Sequence, residues 1–275
     1  MNIYPICVPT YKRGLFHTLK YLKDCTLTVY VYCVKEDYEE NYKNIQASNF
    51  IWVTDSPVGV CNVRNYIMQD QLKRGNEKIY MMDDDVFNWR KYMANPGGKS
   101  NKQMKATPEE FFQIWQDHLN DDTVFSGPDF AGFGGFASLQ NKENLRIDGK
   151  QFMNLKVLND NGIKFNENIY ENLDMMLQIM EKRLPTPIRH CMIGVQVPQD
   201  DEAPSVIFTL QGHKWIEWAK ATYRKWGDLI KVKKEDHAEE CWGVYIVPVK
   251  KVLAWPRTFG DKFLITHNNH PELLQ

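Results

Sequence analysis

Between residues 3 and 82 the hydrophobic period of the sequence keeps switching, and this alternation constrains the fold more than any other feature. "IYPICVP" (3–9) is a short apolar run closed by proline, and "LFHTLKYLKDC" (15–25) carries apolar residues at helical spacing. "TLTVYVYCV" (26–34) is rich in β-branched and aromatic residues, as strands are. The pattern continues with a helix near 36–44, a strand "FIWVT" (50–54), a helix from Gly59 to Lys73 and a strand over 78–82. Such alternation predicts an α/β fold, a mostly parallel sheet flanked by helices with right-handed crossovers. Ligands of such sheets sit outside the carboxyl ends of the strands.

The last of these strands ends on Asp83, Asp84 and Asp85, inside "EKIYMMDDDVFNW" (77–89). Three adjacent carboxylates repel, and each costs several kcal/mol to bury unpaired, so something cationic should meet them. On an extended segment Asp83 and Asp85 leave on one face and Asp84 on the other. Two oxygen ligands on one face suit Mg2+ or Mn2+, which fill their remaining positions with water and substrate phosphates. An acidic strand-end turn without a metal is the plain alternative.

Composition excludes several classes. The 275 residues are 43% apolar and 25% charged, ordinary for a globular chain long enough for one large α/β domain or two small ones. A net charge of -1 announces no global attraction to nucleic acid, so any polyanion contact requires a local patch. The six cysteines have no CxxC pair or short regular spacing, which predicts reduced thiols in a cytoplasmic protein. No run approaches the ~18 apolar residues of a membrane span, and the N-terminus lacks a secretory pattern.

Beyond the acids, "NPGGKSNKQ" (95–103) is a polar loop and a candidate lid. "TPEEFFQIWQDHL" (107–119) reads as a helix with proline at its first position and acids in its first turn. "GPDFAGFGGFASL" (127–139) is a glycine-rich loop-and-strand element, "IYENLDMMLQIMEKR" (169–183) a strong helix, and "HKWIEWAKATYRKWGDLI" (213–230) an amphipathic helix. No repeat or domain boundary is evident, so we expect a single domain over 1–275, with a nucleotide-binding half (1–90) and an acceptor half with C-terminal helices (91–275).

"VPTYKR" after the first strand, "GVCNVRN" (59–65) opening a helix, and "MMDDDV", in this order, resemble the TET-associated glycosyltransferase family of phages and their relatives, which has the GT-A nucleotide-diphospho-sugar transferase fold. The resemblance covers residues 5–86 and thins beyond them. It implies that Pro9, Thr10, Tyr11 and Arg13 border the nucleotide. Gly59 permits a tight entry to a helix whose amides favour anions, and Arg64 reaches a phosphate as a fork. For Arg13 a solvated helix-start cation is the alternative, and for Arg64 a structural salt bridge. The triplet is similar to the family's Asp-x-Asp element, with Asp85 the direct metal ligand and Asp83 on the ribose or on the metal through water; Asp84 lies beside the nucleotide. His267, in "LITHNNH", is a candidate to complete the metal shell.

The segment "YENLD" (170–174) resembles the family's Glu-Asp-x-Asp helix, but Asn172 stands where that pattern has the acceptor's base. An amide takes no proton. The base is then Asp174, with Glu171 second, unless the reaction needs none. The resemblance implies transfer of glucose, arabinose or a similar sugar from a UDP-sugar to 5-hydroxymethylcytosine in double-stranded DNA, with no membrane partner, in the host cytoplasm if the chain is phage-encoded. Lys220, Arg224, Lys225, Lys231, Lys233 and Lys234, with Trp218 and Trp226 interleaved, are the candidate DNA surface. The rivals are a glycosyltransferase with a small-molecule or glycan acceptor, a nucleotidyltransferase or pyrophosphorylase, and a non-catalytic binding module.

Overall fold

The structure is a computed structural model, and it describes residues 3–95, 101–130, 141–143, 147, 149–166, 171–185, 187–196, 221, 225–226, 230–234 and 242–246. The first half contains β1 (Ile6–Pro9), α1 (His17–Leu22), β2 (Val29–Tyr32), α2 (Lys35–Asp37) running into a π-turn over Tyr38–Tyr42, β3 (Phe50–Val53), α3 (Val60–Lys73) and β4 (Lys78–Met82). This is the alternation read from the sequence, with shorter strands and a shorter α1. The next elements are β5 (Phe87–Met93), β6 (Lys102–Lys105), α4 (Pro108–Asp117), β7 (Phe125–Phe130), β8 (Lys142–Glu143) and β9 (Lys150–Asn154). They are followed by α5 (Leu155–Asp160), α6 (Glu171–Glu181), β10 (Ile188–Gln196) and the strands β11 (Ile230–Lys234) and β12 (Trp242–Ile246).

Strands β3, β2, β1 and β4 lie side by side and parallel. The chain builds outward from β1 through β2 to β3, then crosses back to place β4 on the other side of β1. That reversal is the topological switch point, and it lies between the ends of β1 and β4. The sheet continues through β9, β7, β10, β5 and β6, with β8 beside β10, so one sheet spans both halves of the sequence. In this second part β9 runs antiparallel to β4 and β7, and β5 antiparallel to β10 and β6, while β7 and β10 are parallel.

Alternation along the central strands divides the core between two layers. Cys7, Ile79 and Met81 pack with residues of α3, α5 and α6, including Ile67, Leu158 and Met176. Ile6, Val8, Tyr80 and Met82 pack on the other face with Leu19 of α1 and with Phe111, Phe112 and Trp115 of α4. Because both faces of β4 are covered, its side chains at 79–82 are all buried, and each such apolar group contributes about 1.5–3 kcal/mol. The strand is therefore a firm base for the acidic turn at its carboxyl end.

Helix α4 begins as expected, with Pro108 at its first position. Thr107 Oγ1 accepts from the Glu110 amide, and the Glu110 carboxylate accepts from the Thr107 amide. Two segments depart from the sequence reading. Phe87–Met93, which the sequence reading left unassigned, is strand β5 and pairs with β6, and the last residues of the candidate lid segment, Lys102 and Gln103, lie in β6. Ile230, expected to close a long helix, opens β11, which forms a separate two-stranded ribbon with β12. Among the described residues no helix is long and apolar enough to cross a membrane, and Cys7, Cys25, Cys33, Cys61 and Cys191 are free thiols.

Candidate active site at the switch point

The site is built around the turn that ends β4. The strand stops at Met82 and Asp84–Asp85 form a turn, so the shared face expected for Asp83 and Asp85 on an extended segment is not realised. Instead Asp83 turns to one cation, Arg64, and Asp84 and Asp85 to another, Arg13. Thr18 of α1 clamps the turn: its hydroxyl donates to the Asp83 carbonyl at 2.6 Å and accepts from the Val86 amide at 3.0 Å, and its own amide donates to the Asp84 carbonyl at 3.1 Å.

Asp83 accepts from Arg64 Nη2 at 2.7 Å. Antiparallel pairing sets Met82 beside Lys150, so the residue before β9, Gly149, lies against Asp83 and accepts from its amide at 2.8 Å. A Cβ on Gly149 would sit 1.4 Å from Asp83 Oδ2, so only glycine leaves room for this carboxylate. Burial raises the Asp83 pKa, Arg64 opposes the rise, and Asp85 adds to it.

Asp84 is buried and turns toward β1, where Thr10 Oγ1 and Arg13 Nη1 each donate to it at 2.8 Å. The hydrogen-bond directions chain together. The Arg13 amide donates to Tyr42 Oη at 3.2 Å, which leaves the phenol to donate to Thr10 Oγ1 at 2.9 Å and Thr10 to donate to Asp84. Asp37 holds the same loop by accepting from the Lys12 amide at 2.7 Å, where Lys12 takes a φ of 56°. Burial pushes the Asp84 carboxyl up to about 7, against the pull of Arg13 and Thr10.

Asp85 lies 3.3 Å from Arg13 Nη1 through Oδ2, while its Oδ1 is buried with no hydrogen-bond partner among the described residues. Thus two of the sequence-predicted nucleotide residues, Arg13 and Arg64, are the cations that meet the acids, and one carboxylate oxygen remains over. That orphan oxygen fits a hard cation. Among the described residues no group of three or more His, Cys, Asp or Glu could hold a metal, and His267 lies outside them.

Arg64 projects from α3, whose first turn is entered through Gly59 at φ 102°. Its guanidinium packs over Phe165, and Nη1 donates to Asn172 Oδ1 at 3.1 Å. Asn172 also accepts from Gln151 Nε2. Pro9 and Tyr11 are half-buried at the end of β1. Arg64 with Asp83, and Thr10 and Arg13 with Asp84 and Asp85, therefore form two contact groups that meet at the turn.

Asp174 is not part of this cluster. Its carboxylate is fully buried and accepts four hydrogen bonds, from Asn166 Nδ2 (2.6 Å), Gln178 Nε2 (2.8 Å), Lys225 Nζ (2.7 Å) and Trp226 Nε1 (2.7 Å). With every donor directed inward, this arrangement anchors residues 225–226 to α6 and presents no oxygen to an acceptor. It also takes Lys225 and Trp226 out of the expected basic surface, since the lysine is spent on Asp174 and the indole is buried. Glu171 opens α6, Lys231, Lys233 and Lys234 lie on β11, and Lys220, Arg224 and Trp218 fall outside the described residues. Thr18, Tyr42, Gly149 and Gln151 escaped the sequence reading. All four act through contacts between distant segments, although the threonine at the start of a helix was a visible signal.

The fold and the strand-end acids define a GT-A-like α/β protein with its candidate site at the switch point. The profile of the TET-Associated Glycosyltransferase family matches residues 4–194, well over half the chain. The chain belongs to this family and is a glycosyltransferase. No curated protein matches it. Among solved structures, TarS 1-349 from S. aureus in complex with UDP is 15% identical at a TM-score of 0.45, over 82% of this chain and 66% of that one. A glycosyltransferase involved in glycosylation of the major capsid of PBCV-1 is 18% identical at a TM-score of 0.35, over 69% and 82%. A mycobacterial protein is 10% identical at a TM-score of 0.46, over 90% and 84%. These likenesses are of overall shape alone.

Proposed function

We propose that the chain transfers a sugar from a UDP-sugar, with a divalent metal, to the hydroxymethyl group of modified cytosine in double-stranded DNA. The observation that carries the donor half is the acid cluster at the switch point. Two arginines neutralise most of it, and a single buried oxygen of Asp85 is left without a partner among the described residues. In this reading Pro9, Thr10 and Tyr11 border the nucleoside, and Arg13 and Arg64 flank the diphosphate. Asp85 is the residue that would hold Mn2+ or Mg2+, with Asp83 beside it and His267 a further candidate. A bound cation would stabilise charge on the departing diphosphate as a Lewis acid.

Transfer breaks the anomeric C–O bond through an oxocarbenium-like state while negative charge grows on the leaving diphosphate. Arg64 is held in advance by Asp83, Asn172 and Phe165, so its donors need no reorganisation as that charge develops. The acceptor hydroxyl must be positioned and relieved of its proton. Since Asp174 is enclosed by donors, Glu171 becomes the proposed base. For the acceptor we propose DNA on the strength of family membership together with β11. Lys231 and Lys233 occupy alternate positions on this strand of a two-stranded ribbon, an element that can follow a nucleic-acid groove.

Calorimetric titration of UDP tests the donor half. Binding should appear with Mn2+ and vanish with EDTA, and Asp85→Ala should abolish it with an unchanged melting midpoint. Equal affinity with and without metal would refute the metal assignment.

A further inference from the structure

We propose that Asn172 is a positioning residue that fixes Arg64 without neutralising it. This rests on the reading of Arg64 as a diphosphate contact. Arg64 has no acceptor atom, so the atom of Asn172 that faces it at 3.1 Å must be the amide oxygen, and the Gln151 amide reaches the same oxygen. Asn172 and Arg64 are 8% and 3% exposed, so water contributes little to this contact. One end of the guanidinium is bound to a carboxylate, Asp83, and the other to a neutral carbonyl-type oxygen. The amide therefore supplies direction without charge.

A carboxylate in the same place would accept the same hydrogen bonds. It would also add a negative charge next to Arg64 in a poorly solvated pocket that already holds the carboxylate of Asp83 on the same guanidinium. An anionic ligand approaching Arg64 would then meet one more repelling charge, and like charges brought together in such surroundings weaken binding. Asn172 thus serves the donor's diphosphate rather than the acceptor's proton. The asparagine that interrupts the acidic pattern of α6 has a role of its own.

The test uses the 275-residue chain with UDP and Mn2+ as probe, followed by calorimetry and thermal melting. Asn172→Asp should weaken UDP binding by about tenfold or more, the size of one added like charge, while its melting midpoint is held or raised by the new pair with Arg64. Asn172→Ala removes the acceptor for both donors, so its midpoint should fall. Unchanged or tighter UDP binding by a folded Asn172→Asp, or a gain in sugar transfer, would overturn the proposal and place residue 172 at the acceptor. Failure of the unaltered protein to bind UDP would instead overturn the nucleotide reading on which the proposal depends.

Discussion

Arg64 and Asp83 meet at 2.7 Å across the gap between α3 and the end of β4, and the arginine is 3% exposed. The plain alternative for this arginine, a structural salt bridge, is therefore present in the fold, and the proposed diphosphate contact must share the same guanidinium. Arg64→Lys separates the two roles. Lysine keeps the charge but cannot hold Asp83 and Asn172 in one plane. We expect a stability loss of about 1–3 kcal/mol and UDP binding weakened about tenfold, read by denaturant unfolding and calorimetry. A lower stability with normal affinity would assign Arg64 to the scaffold alone.

Gly149 offers a test of the acid cluster that alters no charge. Its missing side chain is occupied by Asp83, so Gly149→Ala must displace the carboxylate or the start of β9. Overpacking of this kind costs about 1–3 kcal/mol, and the loss should be accompanied by weaker nucleotide binding. Wild-type values for both would mean that Asp83 lies elsewhere.

Asp174 is expected to behave as an anchor. Removing a buried charge partner costs about 3–5 kcal/mol, so Asp174→Ala should be severely destabilised. Asp174→Asn should also lose stability, because one of its two oxygens becomes a donor facing donors. Glu171→Gln should keep its melting midpoint and lose turnover. If Asp174→Asn kept its stability and donor affinity but lost turnover, the base role would return to Asp174.

His190 on β10 is fully buried, with neither ring nitrogen partnered among the described residues, and burial beside His118 pushes its pKa down to about 4. Between this value and the ordinary 6.5, the unfolded chain holds a proton that the folded chain lacks, so acid favours unfolding. The destabilisation begins as pH falls below about 6.5 and reaches roughly 3 kcal/mol near pH 4. His190→Leu should flatten that part of the stability profile measured by urea unfolding. Identical slopes would contradict the buried neutral imidazole.

The sequence made the parallel half of the sheet legible because its strands and helices succeed one another with clean changes of period. It also supplied both arginines and the acid triplet, whose types and positions needed no tertiary information. The conformation at Asp83–Asp85 was not legible. Strand alternation was carried past Met82 into the turn at Asp84–Asp85, and the clamp from Thr18, which closes the turn, comes from 65 residues away. Strands β9 and β10 were missed because strands covered on both faces lose the period-two signal. Asp174 looked like a base because a carboxylate near a helix start carries the same letters whether it faces a substrate or, as here, a lysine and an indole from a distant segment.

The decisive measurement is to incubate the protein with Mn2+, a panel of nucleotide sugars and DNA containing 5-hydroxymethylcytosine, then digest the DNA and weigh its nucleosides. We expect one UDP-sugar to add the mass of a single sugar residue to hydroxymethyldeoxycytidine and to no other nucleoside. EDTA or Asp85→Ala should abolish the product. Unmodified nucleosides with every donor, from a protein that binds UDP in the same buffer, would contradict the DNA acceptor.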